Sequence, residues 1–350
     1  MRSILVVGNF LSRAGRTPNV CEELAMRMGK TGCPVVTTSS VPGRMGRLLD
    51  MLGTAWRKRN EYQLASIDVF SGPAFLWAEL VVDELRLLGK PYLFVLRGGN
   101  LPDFGRGNPG RVSRLLRSAA IVTAPSRYLQ ESMRPYRRDI RLLPNAIDLP
   151  AYPFRVRSNP APHLVWLRAF HAIYNPNLAA LLLAELVDEY PDVRLTMVGP
   201  DKGDGSLQGF ERTVRAMDLE GRVELAGSVP KAQVPTWLDR GDIFINTTNF
   251  DNTPVSVIEA MACGLCVVST NVGGIPYLLE HDRDALLVPP NDSKAMAGAV
   301  ERILAEPGLA EKLTRNARQK AEQFDWQVTM PKWEALFDEA LDLTQPFRRG

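Results

Sequence analysis

The 350-residue chain has three histidines, four cysteines and no apolar run long enough to cross a bilayer. Four cysteines, at positions 21, 33, 263 and 266, are too few for the disulfide framework of a secreted scaffold of this size. No cluster of His, Cys and acidic residues suits a metal ion, so a metal site is not expected. The most apolar stretch, Leu178 to Val187, is broken by Glu185 and followed by Asp188 and Glu189, well short of the roughly 20 residues of a spanning helix. Glycine and proline, 27 and 26 residues, stay near their ordinary shares, which excludes collagen-like, low-complexity and wholly disordered chains. The opening MRSILVVGNF has a short β-branched run with no long apolar core and no cleavage site, so it reads as a first strand and not as a signal peptide. A cytoplasmic location is the expectation that follows.

Charge is distributed unevenly. Through Phe154 there are 22 Lys and Arg against 12 Asp and Glu, an excess of ten, while the remainder of the chain carries a net deficit of seven. A basic first half argues for an anionic partner such as a phosphorylated substrate, an acidic membrane surface or nucleic acid. Eight arginines fall between Arg111 and Arg141, but they lack interleaved aromatics and known motifs, so nucleic acid is not expected.

Short β-branched runs alternate with helix-period segments, the pattern of a parallel sheet wrapped by helices in an α/β fold. Strands are expected at 4–8, 34–38, 66–70, 92–96, 120–124 and 140–143, with helices at 17–29, 44–60, 73–89, 109–118 and 126–133. From Ala151 to Pro162 the sequence AYPFRVRSNPAP has no periodicity and reads as a linker. A second series follows, with strands at 163–168, 193–199, 222–226, 243–247 and 265–270, and a helix opening at Asn175-Pro176. The expected units are 1–152 and 160–328, with a last amphipathic helix at about 330–345 free to pack on either. In sheets of this kind ligands sit outside the carboxyl ends of the strands, so two of them facing each other would share a cleft.

The segment from Asn249 to Gly264, NFDNTPVSVIEAMACG, follows one such strand. Asn252 or Thr253 can cap a helix whose first residue is Pro254, with Gly264 ending it. The free N–H groups of Val255 and Ser256, backed by about half a positive charge from the helix dipole, then make an anion seat. Asp251 and Glu259 flank that seat and could hold hydroxyls on either side of a phosphate. A purely structural reading makes them a capping residue and a buried helix acid. Arg168, at the end of the strand 163–168, could grip a diphosphate bidentately, or could simply be a strand-end arginine reaching solvent. Lys202 in a Gly-rich loop is a second candidate cation. Gly273 and Gly274 let backbone approach a ligand, as does Gly15 in the loop after the first strand. Arg97 and Asn100 follow the fourth strand of the first unit, on its functional edge. Cys263 and Cys266 have redox spacing but read as two small buried side chains at a helix-to-strand turn.

At these residues the sequence resembles the retaining nucleotide-sugar glycosyltransferases of family 4, which have the GT-B fold: two Rossmann-like domains with parallel sheets facing across a cleft. The resemblance covers nearly the whole chain. Asp251 through Glu259, with VVSTNVGGIP after it, resembles the family's E-x7-E donor motif; Pro144-Asn-Ala-Ile-Asp148 resembles its P-N-G-[IV]-D segment, and Phe324-Asp-Trp326 its F-x-W. Three positions depart: Asp251 replaces the usual Glu, Ile173 the usual Lys five residues after the strand-end Arg, and Arg97 a frequent His. Lys202 or His171 could stand in for the lysine.

The resemblance implies transfer of a sugar from a nucleoside diphosphate sugar, UDP- or GDP-linked, to a hydroxyl of a glycan or lipid-linked acceptor, with retention and without a bound metal or other cofactor. It gives catalytic roles to Arg168, Asp251 and Glu259, donor contacts to Gly15, Lys202, Asn252, Thr253, Pro254, Val255, Ser256, Gly273 and Gly274, and the acceptor side to Arg97 and Asn100. It also makes 1–152 the acceptor domain, 160–328 the donor domain, and has the last helix cross back to the first. Asp282-Arg-Asp284 has the D-x-D spacing of metal-dependent transferases but sits in a polar turn. The segment 44–60 places Met45, Leu48, Leu49, Leu52 and Trp56 beside Arg44, Arg47, Arg57, Lys58 and Arg59, which fits either a core-packed helix or one lying on the inner face of a membrane. A nucleotide-sugar epimerase and a non-catalytic nucleotide-sugar binder are the alternatives.

Overall fold

The structure, a computed structural model, describes residues 2–11 and 19–343. The chain divides into two compact units, Met1–Asn145 with Thr329–Gly350, and Ala146–Val328.

In the first unit, β1 (Ile4–Val7), β2 (Val35–Thr38), β3 (Leu64–Val69), β4 (Tyr92–Leu96), β5 (Ile121–Ala124) and β6 (Arg141–Leu142) pair in parallel in the order β2-β1-β3-β4-β5-β6. Every residue of β1, β4 and β5 is buried, as expected where helices cover both faces of a sheet. Helices α1 (Val20–Lys30), α2 (Arg44–Arg57), α3 (Pro73–Leu87), α4 (Leu101–Gly107), α5 (Pro109–Ser118) and α6 (Arg127–Met133) supply that cover. Ser126 caps α6 by accepting the Leu129 N–H at 3.1 Å. The sequence signals miss α4, because LPDFGRG with its two glycines reads as a turn. It forms because Leu101 and Pro102 bury and a proline presets the first turn.

The second unit repeats the plan with β7 (His163–Leu167), β8 (Arg194–Val198), β9 (Val223–Gly227), β10 (Ile243–Asn246), β11 (Cys266–Thr270) and β12 (Leu286–Val288), parallel in the order β12-β11-β10-β7-β8-β9. Around them lie α7 (Pro176–Leu186), α8 (Ser206–Ala216), α9 (Val234–Leu238), α10 (Val255–Cys263), α11 (Ile275–Leu278), α12 (Ser293–Ala305) and α13 (Leu309–Ala321). Period-two alternation splits the core into two layers: Leu164 and Trp166 of β7 point into one, Val165 into the other with Phe244, Val257 and Met261. The three-residue edge strand β12 escapes sequence reading, since so short a run has no periodicity to detect.

The chain builds β7, β8 and β9 outward in one direction, then returns to lay β10, β11 and β12 in the other. The reversal lies between β7 and β10, which pair through Leu164 with Ile243 and Val165 with Phe244. Connections diverge there, leaving a crevice at the carboxyl ends of those two strands.

The last helix, α14 (Trp326–Asp342), buries Trp333, Leu336, Phe337 and Ala340. From Thr329 onward it groups with the first unit, where Arg2 donates to the Glu334 carbonyl at 2.7 Å and Arg141 pairs with Glu339 at 2.7 Å. The boundary observed, Asn145 to Ala146, precedes the proline-rich stretch read as a linker. That stretch is a strap on the second unit. Arg157 is buried and donates to Asp242, Asp239 and the carbonyls of Gly241 and Cys263, while Tyr152 sits in the apolar layer. Unpatterned sequence here reflects one buried arginine's partners and not freedom.

Candidate functional site

Arg168 follows β7, and its N–H donates to the Val198 carbonyl at 3.0 Å. Gly199 packs against that junction with a φ of +148°; a Cβ there would overlap the Arg168 carbonyl, so only glycine allows the approach. A short 3₁₀ turn, Ala172–Tyr174, comes next. The loop after β10 is tied to it: the Asn249 N–H and the Thr248 hydroxyl both donate to the Ile173 carbonyl, at 2.7 and 3.1 Å. The ends of β7 and β10 are thus joined at the reversal point.

On this joint Arg168 forms an ion pair with Asp251, both side chains largely buried. Its guanidinium lies 4.6 Å from the centre of the Tyr174 ring, and its Nε is buried with no partner among the described residues. Burial pushes the Arg168 pKa below the usual arginine value, opposed by Tyr174 and Glu259. Arg168 and Asp251, which the sequence offers as separate candidates for a diphosphate and a hydroxyl, are therefore in contact.

The helix start differs from the sequence reading by one residue. Pro254 is extended (φ −69°, ψ 112°) and is itself the N-cap, so α10 begins at Val255, and neither Asn252 nor Thr253 caps it through its side chain. Proline cannot donate, and its carbonyl instead receives the Val257 and Ile258 N–H groups at 3.2 and 3.4 Å. The N–H groups of Val255 and Ser256 accordingly have no hydrogen-bond partner among the described residues. Beside them the hydroxyls of Thr253 and Ser256 are buried and, among the same residues, unpartnered. Four donors at the positive end of a helix make a seat for an anion. Gly264 ends α10 in the left-handed conformation expected from the sequence.

Gly273 and Gly274 do allow a close backbone approach, but it is the 251–252 segment of the same unit that approaches. The Gly274 N–H donates to the Asp251 carbonyl at 2.8 Å, and a Cβ on Gly274 would overlap the Asn252 carbonyl. The pair clamps residues 251–252 in place.

Glu259 lies one turn further into α10, 4% exposed at its side chain. Its Oε1 accepts from the Tyr152 hydroxyl and from the Lys231 ammonium. Neither Tyr152 nor Lys231 stands out in the sequence. Tyr152 comes from the strap and Lys231 from the loop after β9, and no spacing links either to the α10 segment.

The remaining candidates fall elsewhere. Lys202 is exposed and its ammonium has no partner among the described residues, though its N–H donates to the Phe170 carbonyl at 3.1 Å. His171 lies 3.7 Å from Asp204, and Ile173 is 39% exposed. In the first unit Arg97 donates to Asp68 at 3.0 Å and Asn145 at 2.8 Å, leaving one terminal nitrogen buried and unpartnered among the described residues. Asn100 is exposed at the start of α4. Gly15 lies outside the described residues. Asp282 and Asp284 pair with Arg302 and Lys320. Among the described residues no three His, Cys, Asp or Glu side chains come together as a metal site requires. Cys263 and Cys266 are free and buried, their thiols pushed up to about 12 by desolvation, so they are inert at neutral pH.

Residues 162–306 match the family "Glycosyl transferases group 1". The chain is 32% identical over 208 residues to a phosphatidylinositol N-acetylglucosaminyltransferase protein of Arabidopsis thaliana, covering 57% of this chain and 44% of that protein. It is 26% identical over 172 residues to a D-inositol 3-phosphate glycosyltransferase of Streptomyces bingchenggensis, covering 47% and 38%. The chain thus spans less than half the length of these two relatives. In three dimensions it resembles Anabaena HepE, solved in complex with UDP and glucose, with a TM-score of 0.75 at 18% identity over 96% of this chain and 99% of that one. The sequence match to group 1 glycosyl transferases thus lies within the second unit, in a chain whose fold is of the GT-B type.

Proposed function

We propose that this chain is a retaining glycosyltransferase that moves a sugar from a UDP- or GDP-linked donor to a hydroxyl of a glycan or lipid-linked acceptor, without a metal ion. The observation that carries the reading is the start of α10: four donors without partners among the described residues, at a helix N-terminus and at the reversal point of a parallel sheet, bracketed by Asp251 and Glu259 and met by Arg168. Such a seat fits the diphosphate of a nucleotide sugar. Glu259 one turn away suits the ribose diol, and Asp251 a sugar hydroxyl. In transfer, the acceptor oxygen bonds to the anomeric carbon as the bond from that carbon to phosphate breaks, and the leaving phosphate takes the acceptor's proton. Arg168 stabilises the charge that collects on the phosphate. The names of the relatives, one a phosphatidylinositol and one an inositol phosphate glycosyltransferase, support a lipid-linked or phosphate-bearing acceptor.

The test is titration calorimetry with UDP and GDP, then assay of a panel of their sugars with and without lipid and glycan acceptors, reading the anomeric configuration of the product by NMR. Epimer formation without acceptor-dependent nucleotide release, or binding with no turnover of any donor, would replace the transferase reading.

The clamp carries a prediction of its own. Gly274→Ala should push the 251–252 backbone aside and weaken UDP or GDP binding by about tenfold or more with the fold retained by circular dichroism. Unchanged affinity would show the clamp to be dispensable.

Helix α2 supports a surface-bound acceptor. Its sequence stripe separates in the structure into two: Leu48 is buried and Leu52 packs partly buried against the core, where Met51 and Ala55 join them, whereas Met45, Leu49 and Trp56 are 70%, 66% and 51% exposed. The exposed set recurs at helical spacing beside Arg44, Arg57, Lys58 and Arg59, a composition suited to an anionic lipid surface. No helix among the described residues is long and apolar enough to cross a membrane. Leu49→Ser with Trp56→Ser should reduce co-sedimentation with anionic vesicles by at least about tenfold, given the transfer free energy of two large apolar side chains.

A further inference from the structure

We infer that Lys231 and Tyr152 are positioning residues for the donor's ribose, holding the Glu259 carboxylate with one oxygen turned toward the diol. The inference rests on the donor reading above and adds two residues to it. Glu259 is almost fully buried, and a carboxylate taken out of water needs a compensating charge and donors. Lys231 supplies the charge and the Tyr152 hydroxyl a second donor, and both converge on Oε1. No hydrogen bond from the described residues reaches Oε2. A carboxylate has about four acceptor positions, so two remain on the free oxygen, enough for a pair of adjacent hydroxyls.

The two donors arrive from separate segments, the strap at residue 152 and the loop after β9 at residue 231, so the carboxylate is fixed in plane as well as in place. The Lys231 side chain is 30% exposed, against 4% for the Glu259 carboxylate side chain it neutralises. A simple core ion pair would have no reason to leave one acid oxygen unbonded.

Calorimetry with UDP and GDP, each beside its 2′,3′-dideoxy analogue, and with inorganic pyrophosphate, separates the possibilities. The wild-type protein should lose about tenfold in affinity when the ribose hydroxyls are removed, the effect of hydrogen bonds to a charged group. In Lys231→Met and in Tyr152→Phe that ratio should shrink to less than about twofold, with pyrophosphate bound as in wild type and Lys231→Arg retaining most of the ratio. Tyr152→Phe leaves the ion pair intact and serves where Lys231→Met fails to fold. A wild-type ratio in both variants, or a matching loss toward pyrophosphate, would overturn the inference while leaving the donor reading standing. A wild-type protein that binds neither nucleoside diphosphate would remove both.

Discussion

Arg168→Ala should lower kcat for sugar transfer by about a hundred- to a thousandfold while changing nucleoside diphosphate affinity by less than about tenfold. The asymmetry follows from where the charge appears. In the proposed ground state the diphosphate has the α10 N–H groups and the Thr253 and Ser256 hydroxyls, and Arg168 is held by Asp251 and the Tyr174 ring with its Nε still unpartnered among the described residues. As the bond to the anomeric carbon breaks, negative charge builds on the leaving phosphate, and only then does a guanidinium gain more from phosphate than from Asp251. Arg168→Lys should recover part of kcat but not all of it, because a point charge cannot bridge two oxygens or stack on Tyr174 as a planar fork does. The alanine variant should also melt at lower temperature, since Asp251 would be left largely buried with no cation. Single-turnover and steady-state assays give the split. An Arg168→Ala enzyme with wild-type kcat would take the residue out of the mechanism.

Glu259→Ala should act on the other parameter, weakening UDP or GDP binding by about thirty- to a hundredfold with a smaller change in kcat for saturating donor. On the proposed reading the lost contacts are to the ribose, which does not react, so they are made equally in ground and transition states. The variant also frees Lys231, whose side chain is already partly exposed, and leaves a small void in a helix that is otherwise buried on all sides. Calorimetry with the dideoxy analogues isolates the ribose part: they should bind Glu259→Ala and wild type alike. If the analogues lose as much affinity as the parent nucleotides, Glu259 acts on the fold of the loop and not on the sugar.

Much of the fold is legible in the sequence because the signals are local. Apolar runs of four to six residues separated by amphipathic segments specify parallel strands and their covering helices, and the start of α7 at Asn175-Pro176, though Asn175 does not cap it through its side chain, and the end of α10 at Gly264 depend on two or three adjacent residues. Elements that lack such signals escape it: α4, held by Leu101 and Pro102 against the core, and β12, recruited by pairing with β11. The start of α10 differs by one residue for a local reason as well. A proline preceded by two good capping residues fits N1 as readily as N-cap, and its ψ of 112° decides between them.

The acids and the arginine of the donor site can be picked out one by one from their strand ends, but not paired. Arg168 and Asp251 are 83 positions apart and Tyr152 and Glu259 107 apart, and no periodicity reports on contacts at such separations. Arg168 and Asp251 meet because β7 and β10 are neighbours at the reversal of the second sheet, an adjacency of strand order that hydrophobic pattern does not encode, and Tyr152 reaches Glu259 from the strap laid on the same unit. The split of the α2 stripe has the same origin: sequence shows that Met45, Leu48, Leu49 and Trp56 lie on one broad side, and only packing against the sheet chooses which of them water, or a membrane, can reach. Amino-acid order alone therefore determined the elements, the two-unit α/β plan and the chemistry available at each strand end. Tertiary structure decided which of those groups touch, which donors are left without partners, and that Lys231 takes the place beside Glu259, because contact between distant segments depends on how the whole sheet is assembled.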